Sequence, residues 1–231
     1  MHHADEYLNS LADPRVRKIL DEIWAMQAQV NPAGESRLKA AMVGRSEPFG
    51  VQELVNLCAG GSFAAPPQIG QLLYALVRAM RPTTVLEFGT GHGFSTLHIA
   101  AALRDNGEGQ LVSAELHPEK AEAARVNLAL AGLNRHANVL EGEASEVLAA
   151  IPNVGLLYLD GWTEFYLPVL KAVEPNLRPG ALVHADDVGK FAKGAAPYLD
   201  YVRDPANGYV SVALGDYQGF EQSCRAGVGR P

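Results

Sequence analysis

The sequence predicts an α/β fold: a doubly wound, mostly parallel seven-stranded sheet with a C-terminal antiparallel hairpin and an N-terminal helical cap. Three observations predict it. Between Gln68 and Ala185, short apolar runs alternate with amphipathic stretches, strand after helix. That order demands a parallel sheet covered by helices on both faces. Gly155 to Asp160 and Ala181 to Ala185 are almost continuously apolar, as strands buried on both sides are. Near the end, Tyr209 to Leu214 and Gly219 to Cys224 flank Gly215-Asp216-Tyr217-Gln218, which reads as a hairpin.

The elements follow in order. Asp13-Pro14 opens a helix, with Asp as cap and Pro at the first helical position. Val16, Ile19, Leu20, Ile23, Trp24 and Gln27 repeat at helical spacing, and Asn31-Pro32-Ala33-Gly34 is expected to break that helix. Further helical pieces are expected over Glu35 to Val43 and Val51 to Ala59, so residues 1–67 read as a helical cap, with about 4 to 60 helical. Residues 68–231 read as the sheet-bearing domain, the two forming one compact unit. Helices are expected at Gln68 to Met80, Ser95 to Leu103, Pro118 to Ala131, Ser145 to Ala150 and Phe165 to Val173. Strands are expected at Thr83 to Phe88, Gln110 to Glu115 and Ala137 to Glu141, besides those named above. Pro175 and Pro179-Gly180 close the helix after Phe165, and Val188 to Tyr198 reads as a loop.

The chain has 231 residues, 48% hydrophobic and 19% charged, which suits one α/β domain with a short extension. Its net charge of -7 argues against a nucleic-acid partner, because phosphate binding is driven by Lys and Arg. Cys58 and Cys224 lie far apart without metal-type spacing and read as free thiols in a reducing cytoplasm. Residues Met1 to Glu6 show no basic region ahead of an apolar stretch, and no apolar run suits a membrane span. A cytoplasmic protein with a small-molecule partner is expected. A homodimer through the helical extension is expected as well.

Val85-Leu86-Glu87-Phe88-Gly89-Thr90-Gly91-His92-Gly93-Phe94-Ser95 is an apolar strand, a glycine-rich turn and a helix start. In an open parallel sheet, ligands sit outside the carboxyl ends of the strands. The spacing is G-x-G-x-G, not the G-x-G-x-x-G of a dinucleotide site. Glu87, just before the turn, would repel a pyrophosphate and attract the ammonium of an amino-acid cofactor. Glu115 ends the second strand, where an acid can accept from both hydroxyls of a ribose.

These residues resemble the class I methyltransferases, more narrowly the catechol and caffeoyl-CoA O-methyltransferase group. The resemblance runs from about Gln68 to Cys224. It is carried by Val85 to Gly91, Ser113-Ala114-Glu115, Gly142-Glu143-Ala144, Leu159-Asp160-Gly161-Trp162 with Tyr166-Leu167-Pro168, and Ala185-Asp186-Asp187-Val188. It implies a Rossmann-like fold, S-adenosylmethionine as cofactor, and a hydroxylated small-molecule acceptor, catechol-like or polyphenolic. By the same resemblance Glu87, Gly89 and Ser95 would hold the methionine part, with Thr90 and Gly91 of the turn beside them. Glu115 would take the ribose. Glu143, Ala144 and Trp162 would surround the adenine, and Leu116 and Asp160 complete the cofactor set.

Asp160 ends one buried strand and Asp186-Asp187 the next. Adjacent strands lie about 4.8 Å apart, so the three carboxylates could converge on one ion. Oxygen donors suit Mg²⁺ or another divalent cation. The resembled family has an Asp-Asn step where this chain has Asp186-Asp187. It also has a Lys after the Trp, as general base, where this chain has Thr163. Either the metal alone ionises the acceptor or another group helps, His184 and His92 being the candidates by their neutral-range pKa. Asp160 and His184 are the expected catalytic pair. Trp24, Met26, Met42 and Phe49 are candidate lid residues, and Lys190 and Lys193 could meet an acidic acceptor group. Three rivals stand beside this reading: a metal-independent methyltransferase, a cofactor-binding protein without catalysis, and a nucleotide-dependent oxidoreductase.

Overall fold

The computed structural model describes residues 9–45, 47, 49–215 and 219–227. The hairpin turn residues Asp216, Tyr217 and Gln218 and the helical reading of residues 4–8 lie outside them. The chain opens with α1 (Pro14–Met42), α2 (Val51–Cys58) and α3 (Pro67–Met80). There follow β1 (Thr84–Phe88), α4 (Phe94–Asn106), β2 (Gln110–Glu115), α5 (Pro118–Leu130), β3 (Ala137–Glu141) and the short α6 (Ala144–Val147). Then come β4 (Val154–Leu159), α7 (Tyr166–Val173), β5 (Leu177–Ala185), α8 (Ala192–Arg203), β6 (Tyr209–Leu214) and β7 (Phe220–Arg225).

The seven strands order as β3-β2-β1-β4-β5-β7-β6. The first five run parallel, and β7 lies antiparallel between β5 and β6. The order reverses between β1 and β4, so a crevice opens at their carboxyl ends. Alternate residues of the strands feed two cores. Val85, Leu111, Leu156 and Tyr158 pack beneath α1, α3, α4 and α5. Leu86, Leu157, Leu159 and Val183 pack against α7 and α8 on the other face. Each such fully buried aliphatic side chain contributes about 1.5–3 kcal/mol by leaving water.

Three sequence expectations are corrected. First, α1 is one helix through Asn31-Pro32-Ala33-Gly34. Pro32 has no N–H to give the Ala28 carbonyl, but Ala28 lies on the exposed side, where water can serve it. The break is prevented by tertiary contacts along the inner face. The Gln27 and Asn31 side chains accept from the backbone N–H groups of Ala64 and Ser62, and Gly34 packs beneath Phe63. Second, β5 begins at Leu177 and runs through Pro179-Gly180. Its pairing with β4 skips there, Val154 facing Leu177 and Leu156 facing Leu182. The bulge accommodates a proline without a ladder donor and a glycine with φ of 79°. Third, residues 192–203, read in part as loop, form α8 despite Gly194 and Pro197. Ala195, Tyr198 and Val202 recur at helical spacing and are all buried, and that packing outweighs the poor propensity.

Candidate active site

A cavity of about 500 Å³ opens where the sheet topology predicts, at the carboxyl ends of β1, β2, β3 and β4, and α1 and α2 roof it. The turn after β1 forms its floor. Gly89 has φ of 99°, and a Cβ there would stand 2.5 Å from the Asp160 carbonyl oxygen. Only glycine permits both the turn and the close approach of β1 to the end of β4. The Gly91 N–H donates to Glu115 Oε2 at 2.7 Å, and the His117 N–H donates to Oε1 at 2.9 Å. Two backbone donors thus fix the Glu115 carboxylate on the cavity wall, with lone pairs left for a diol.

The structure gathers most of the predicted cofactor residues around this space. Gly89, Thr90, Gly91 and Ser95 line it from the turn and α4, and Glu115 and Leu116 from β2. Glu143 and Ala144 line it beyond β3, and Asp160 and Trp162 beyond β4. Trp162 has ring neighbours in Phe49 at 6.2 Å and Phe191 at 5.8 Å.

Glu87 is the exception. It is fully buried and does not face the cavity. Its carboxylate accepts from Ser95 Oγ at 2.5 Å, Thr96 Oγ1 at 2.6 Å and Ser113 Oγ at 2.6 Å. Along β1 it shares the face of Val85 and points beneath α4. Its place is therefore under the turn, tying β1, β2 and α4 together, and not beside an ammonium. Burial raises its pKa, against the three hydroxyls that lower it.

The three aspartates are brought close but not gathered as one ligand set. Asp160 and Asp187 line the cavity. Asp186 is 3% exposed and turned inward: Oδ1 accepts the Asp187 N–H at 2.7 Å and Oδ2 the Tyr158 hydroxyl at 3.2 Å. Among the described residues, no three His, Cys, Asp or Glu side chains form a group able to hold a metal. The expected triad is corrected accordingly, because the backbone at Asp187 (φ of 58°) folds back onto the Asp186 carboxylate. Electrostatically the acids act on one another. Burial raises Asp160 well above the usual carboxylate range, and the charges of Asp186, Asp187 and Glu87 raise it further. Burial and Asp187 push Asp186 up to about 7. Burial raises Asp187 too, while Lys190 draws it down.

His184 does not reach the cavity, which corrects its expected role as base. It is fully buried between Tyr158 and Phe220, with Nδ1 2.9 Å from Gln222 Oε1, and burial lowers its pKa. Strand alternation turns it into the core. His92 does line the cavity, but its charged neighbours are Lys120 and His117, not the aspartates. Thr163 is buried, and its hydroxyl donates to the Phe191 carbonyl at 3.3 Å. Of the candidate lid residues, Met42 lines the cavity and Phe49 meets Trp162, whereas Trp24 packs on Phe94 at 5.8 Å. Met26 is not part of the lining, and neither is Lys193, but Lys190 is. The sequence reading missed Leu54, Val55, Phe63, His117, Lys120 and Phe191. Leu54 and Val55 had a signal in the apolar stripe of α2, and Lys120 in its place one turn after Glu115.

Comparison with known proteins agrees with this arrangement. Residues 86–188 match a family model described as a methyltransferase domain. Catechol O-methyltransferase B of Danio rerio is 34% identical over 143 residues, covering 58% of this chain and 53% of that protein. The chain thus spans about half the length of that relative, and likewise of the mouse catechol O-methyltransferase. A crystal structure of a candidate O-methyltransferase from Klebsiella pneumoniae superimposes with a TM-score of 0.67 at 26% identity, covering 87% of this chain and all of that one. An O-methyltransferase from Bacillus cereus, solved in complex with S-adenosylhomocysteine, shares the fold with a TM-score of 0.65 at 20% identity, covering 88% of this chain and 99% of that one. In its strand order, its glycine-rich turn and the acid that ends β2, the chain has the fold of these O-methyltransferases, and its residues 86–188 are similar to a methyltransferase domain.

Proposed function

We propose that the protein transfers a methyl group from S-adenosylmethionine to a hydroxyl of a small aromatic acceptor, catechol-like or polyphenolic. One observation carries the reading. A single roofed cavity joins a nucleoside-type wall, Glu115, Leu116 and Trp162, to an acidic wall, Asp160 and Asp187. When bound, the cofactor supplies a sulfonium methyl group open to attack by an oxygen lone pair. The chain's own residues do the rest. Glu115, held by two backbone N–H groups, accepts from the ribose hydroxyls. Leu116 and Trp162 flank the adenine. Helices α1 and α2 roof the space and keep water from it. Holding donor and acceptor in line removes much of the entropic barrier. Asp160, its pKa raised by burial and by the neighbouring carboxylates, is a stronger base than an ordinary carboxylate and stands at the cavity wall to take the acceptor's proton.

A divalent cation is part of this proposal. Mg²⁺ commonly takes one or two carboxylates from a protein and fills its other positions with water and substrate oxygen. Asp160 and Asp187 would hold it, and it would favour the ionised form of a bound hydroxyl. The inward turn of Asp186 favours a second reading, in which transfer needs no metal and Asp160 alone serves as proton acceptor.

The test is transfer of label from methyl-tritiated S-adenosylmethionine to 1,2-dihydroxybenzene, with Mg²⁺ or with EDTA. Labelled product with Mg²⁺ that disappears in EDTA is the expected result. Transfer unaffected by EDTA would establish the metal-free reading. No transfer to any mono- or dihydroxylated aromatic would contradict the acceptor class.

A further inference from the structure

The cofactor half of the cavity contains a buried cation that the mechanism above does not use. Lys120, in the first turn of α5, lines the cavity and is only 8% exposed. Its ammonium stands 5.6 Å from the centre of the Phe63 ring. Among the described residues it makes no ion pair. A buried ammonium without a counter-charge is costly, because water no longer solvates it. Glu115 and Glu35 line the same cavity and carry charge, but each has donors of its own and neither forms an ion pair with Lys120 among the described residues. Both oxygens of Glu115 accept backbone N–H groups, and Glu35, on the roof, faces Lys39 at 3.7 Å.

The surroundings of Lys120 suit an anion. His92 and His117 line the same corner, and each has a buried Nδ1 without a partner. Burial, the Lys120 ammonium and His117 hold His92 below the usual imidazole range, and His92 supplies no competing anion to Lys120. The N-terminal end of α5, a helix of 13 residues, adds its own positive potential. Glu115, five residues earlier, marks the ribose. In the cofactor reading above, a ligand anchored there would lay its amino-acid tail along the glycine-rich turn, to which His92 belongs. S-adenosylmethionine has one anionic group, the carboxylate at the end of that tail.

We propose that Lys120 is the cofactor's carboxylate-binding residue, pairing its ammonium with the amino-acid end of S-adenosylmethionine. The inference rests on the cofactor reading above. It replaces the sequence-based expectation for that end of the ligand, in which Glu87 met the ammonium.

The test is calorimetric titration of the full chain with two probes. S-adenosylhomocysteine carries the carboxylate. Its decarboxylated analogue, S-adenosyl-3-thiopropylamine, keeps the amine and lacks the carboxylate. Lys120→Met is expected to weaken S-adenosylhomocysteine by about ten-fold or more, the worth of one charge-assisted contact. It is expected to leave the analogue unchanged or bound more tightly, since two cations no longer face each other. Lys120→Arg should retain most of the affinity and, as the charge-conserving variant, separates loss of charge from loss of fold. Equal weakening of both probes by Lys120→Met, or no weakening of either, would overturn the proposal and leave the cofactor reading standing. Failure of the unsubstituted protein to bind either probe would overturn both.

Discussion

Replacing Gly89 by Ala is expected to abolish measurable binding of S-adenosylhomocysteine and to destabilise the fold by about 2–4 kcal/mol. Two costs add at this position. A φ of 99° lies in a region that side chains with a Cβ rarely adopt. The new Cβ would also stand 2.5 Å from the Asp160 carbonyl oxygen and 2.8 Å from the Gly161 nitrogen, both backbone atoms that cannot swing aside. The turn must therefore move away from β4, separating the wall that holds Glu115 from the one that holds Asp160. Gly91→Ala is the informative control. Its φ is 54°, and a Cβ there meets nothing within 4 Å. It should cost about 1 kcal/mol in stability, while its methyl group enters the cavity and weakens the ligand. Thermal unfolding and calorimetry on the two variants check the contrast. A Gly89→Ala protein that binds as well as the parent would contradict the placement of the turn.

Asp160→Asn is expected to raise stability at neutral pH and to lower methyl transfer by about 100-fold or more. The stability half follows from the sign of the pKa shifts. Asp160, Asp186 and Asp187 are all raised in the folded state, Asp186 from 3.8 to about 7. Across that window the folded chain binds more protons than the unfolded chain. Stability therefore falls as pH rises from about 4 to about 7. Removing one carboxylate relieves the repulsion, so the variant should melt several degrees above the parent at about pH 8, and the gap should close toward about pH 4. Gain in stability with loss of activity is the pattern of a group kept for function. Melting curves across pH check it. A variant that melts lower than its parent at about pH 8 would show that Asp160 is held by favourable contacts and not by use.

The parts of the site that were legible in the sequence are those whose chemistry is tied to the backbone. A turn needing positive φ after an apolar strand leaves glycines at Gly89, Gly91 and Gly93, whatever surrounds it. An acid ending β2 is fixed by two N–H groups that the turn and α5 present, so Glu115 could be placed from order alone. Where a side chain points was harder to read. Glu87 and His184 were expected at the ligand, yet both face inward by the alternation of their strands. The companions that satisfy Glu87, namely Ser95, Thr96 and Ser113, were visible in the sequence but come together only on folding. Pro32 and Pro197 misled in the same way. Their local propensity argues for breaks, and the contacts that outweigh it, Gln27 and Asn31 with the 62–64 segment and Tyr198 with the core, come from elsewhere in the chain. The pairing Asp186-Asp187 suggested two equivalent ligands. The backbone made them unlike, one turned inward and one at the cavity wall.

The most direct test of the central claim is titration of the unsubstituted protein with S-adenosylhomocysteine in a calorimeter. Saturable binding at a single site, lost in Gly89→Ala and weakened in Glu115→Ala, is the predicted result. Absence of binding, or binding indifferent to both substitutions, would contradict the account of this cavity as the cofactor site.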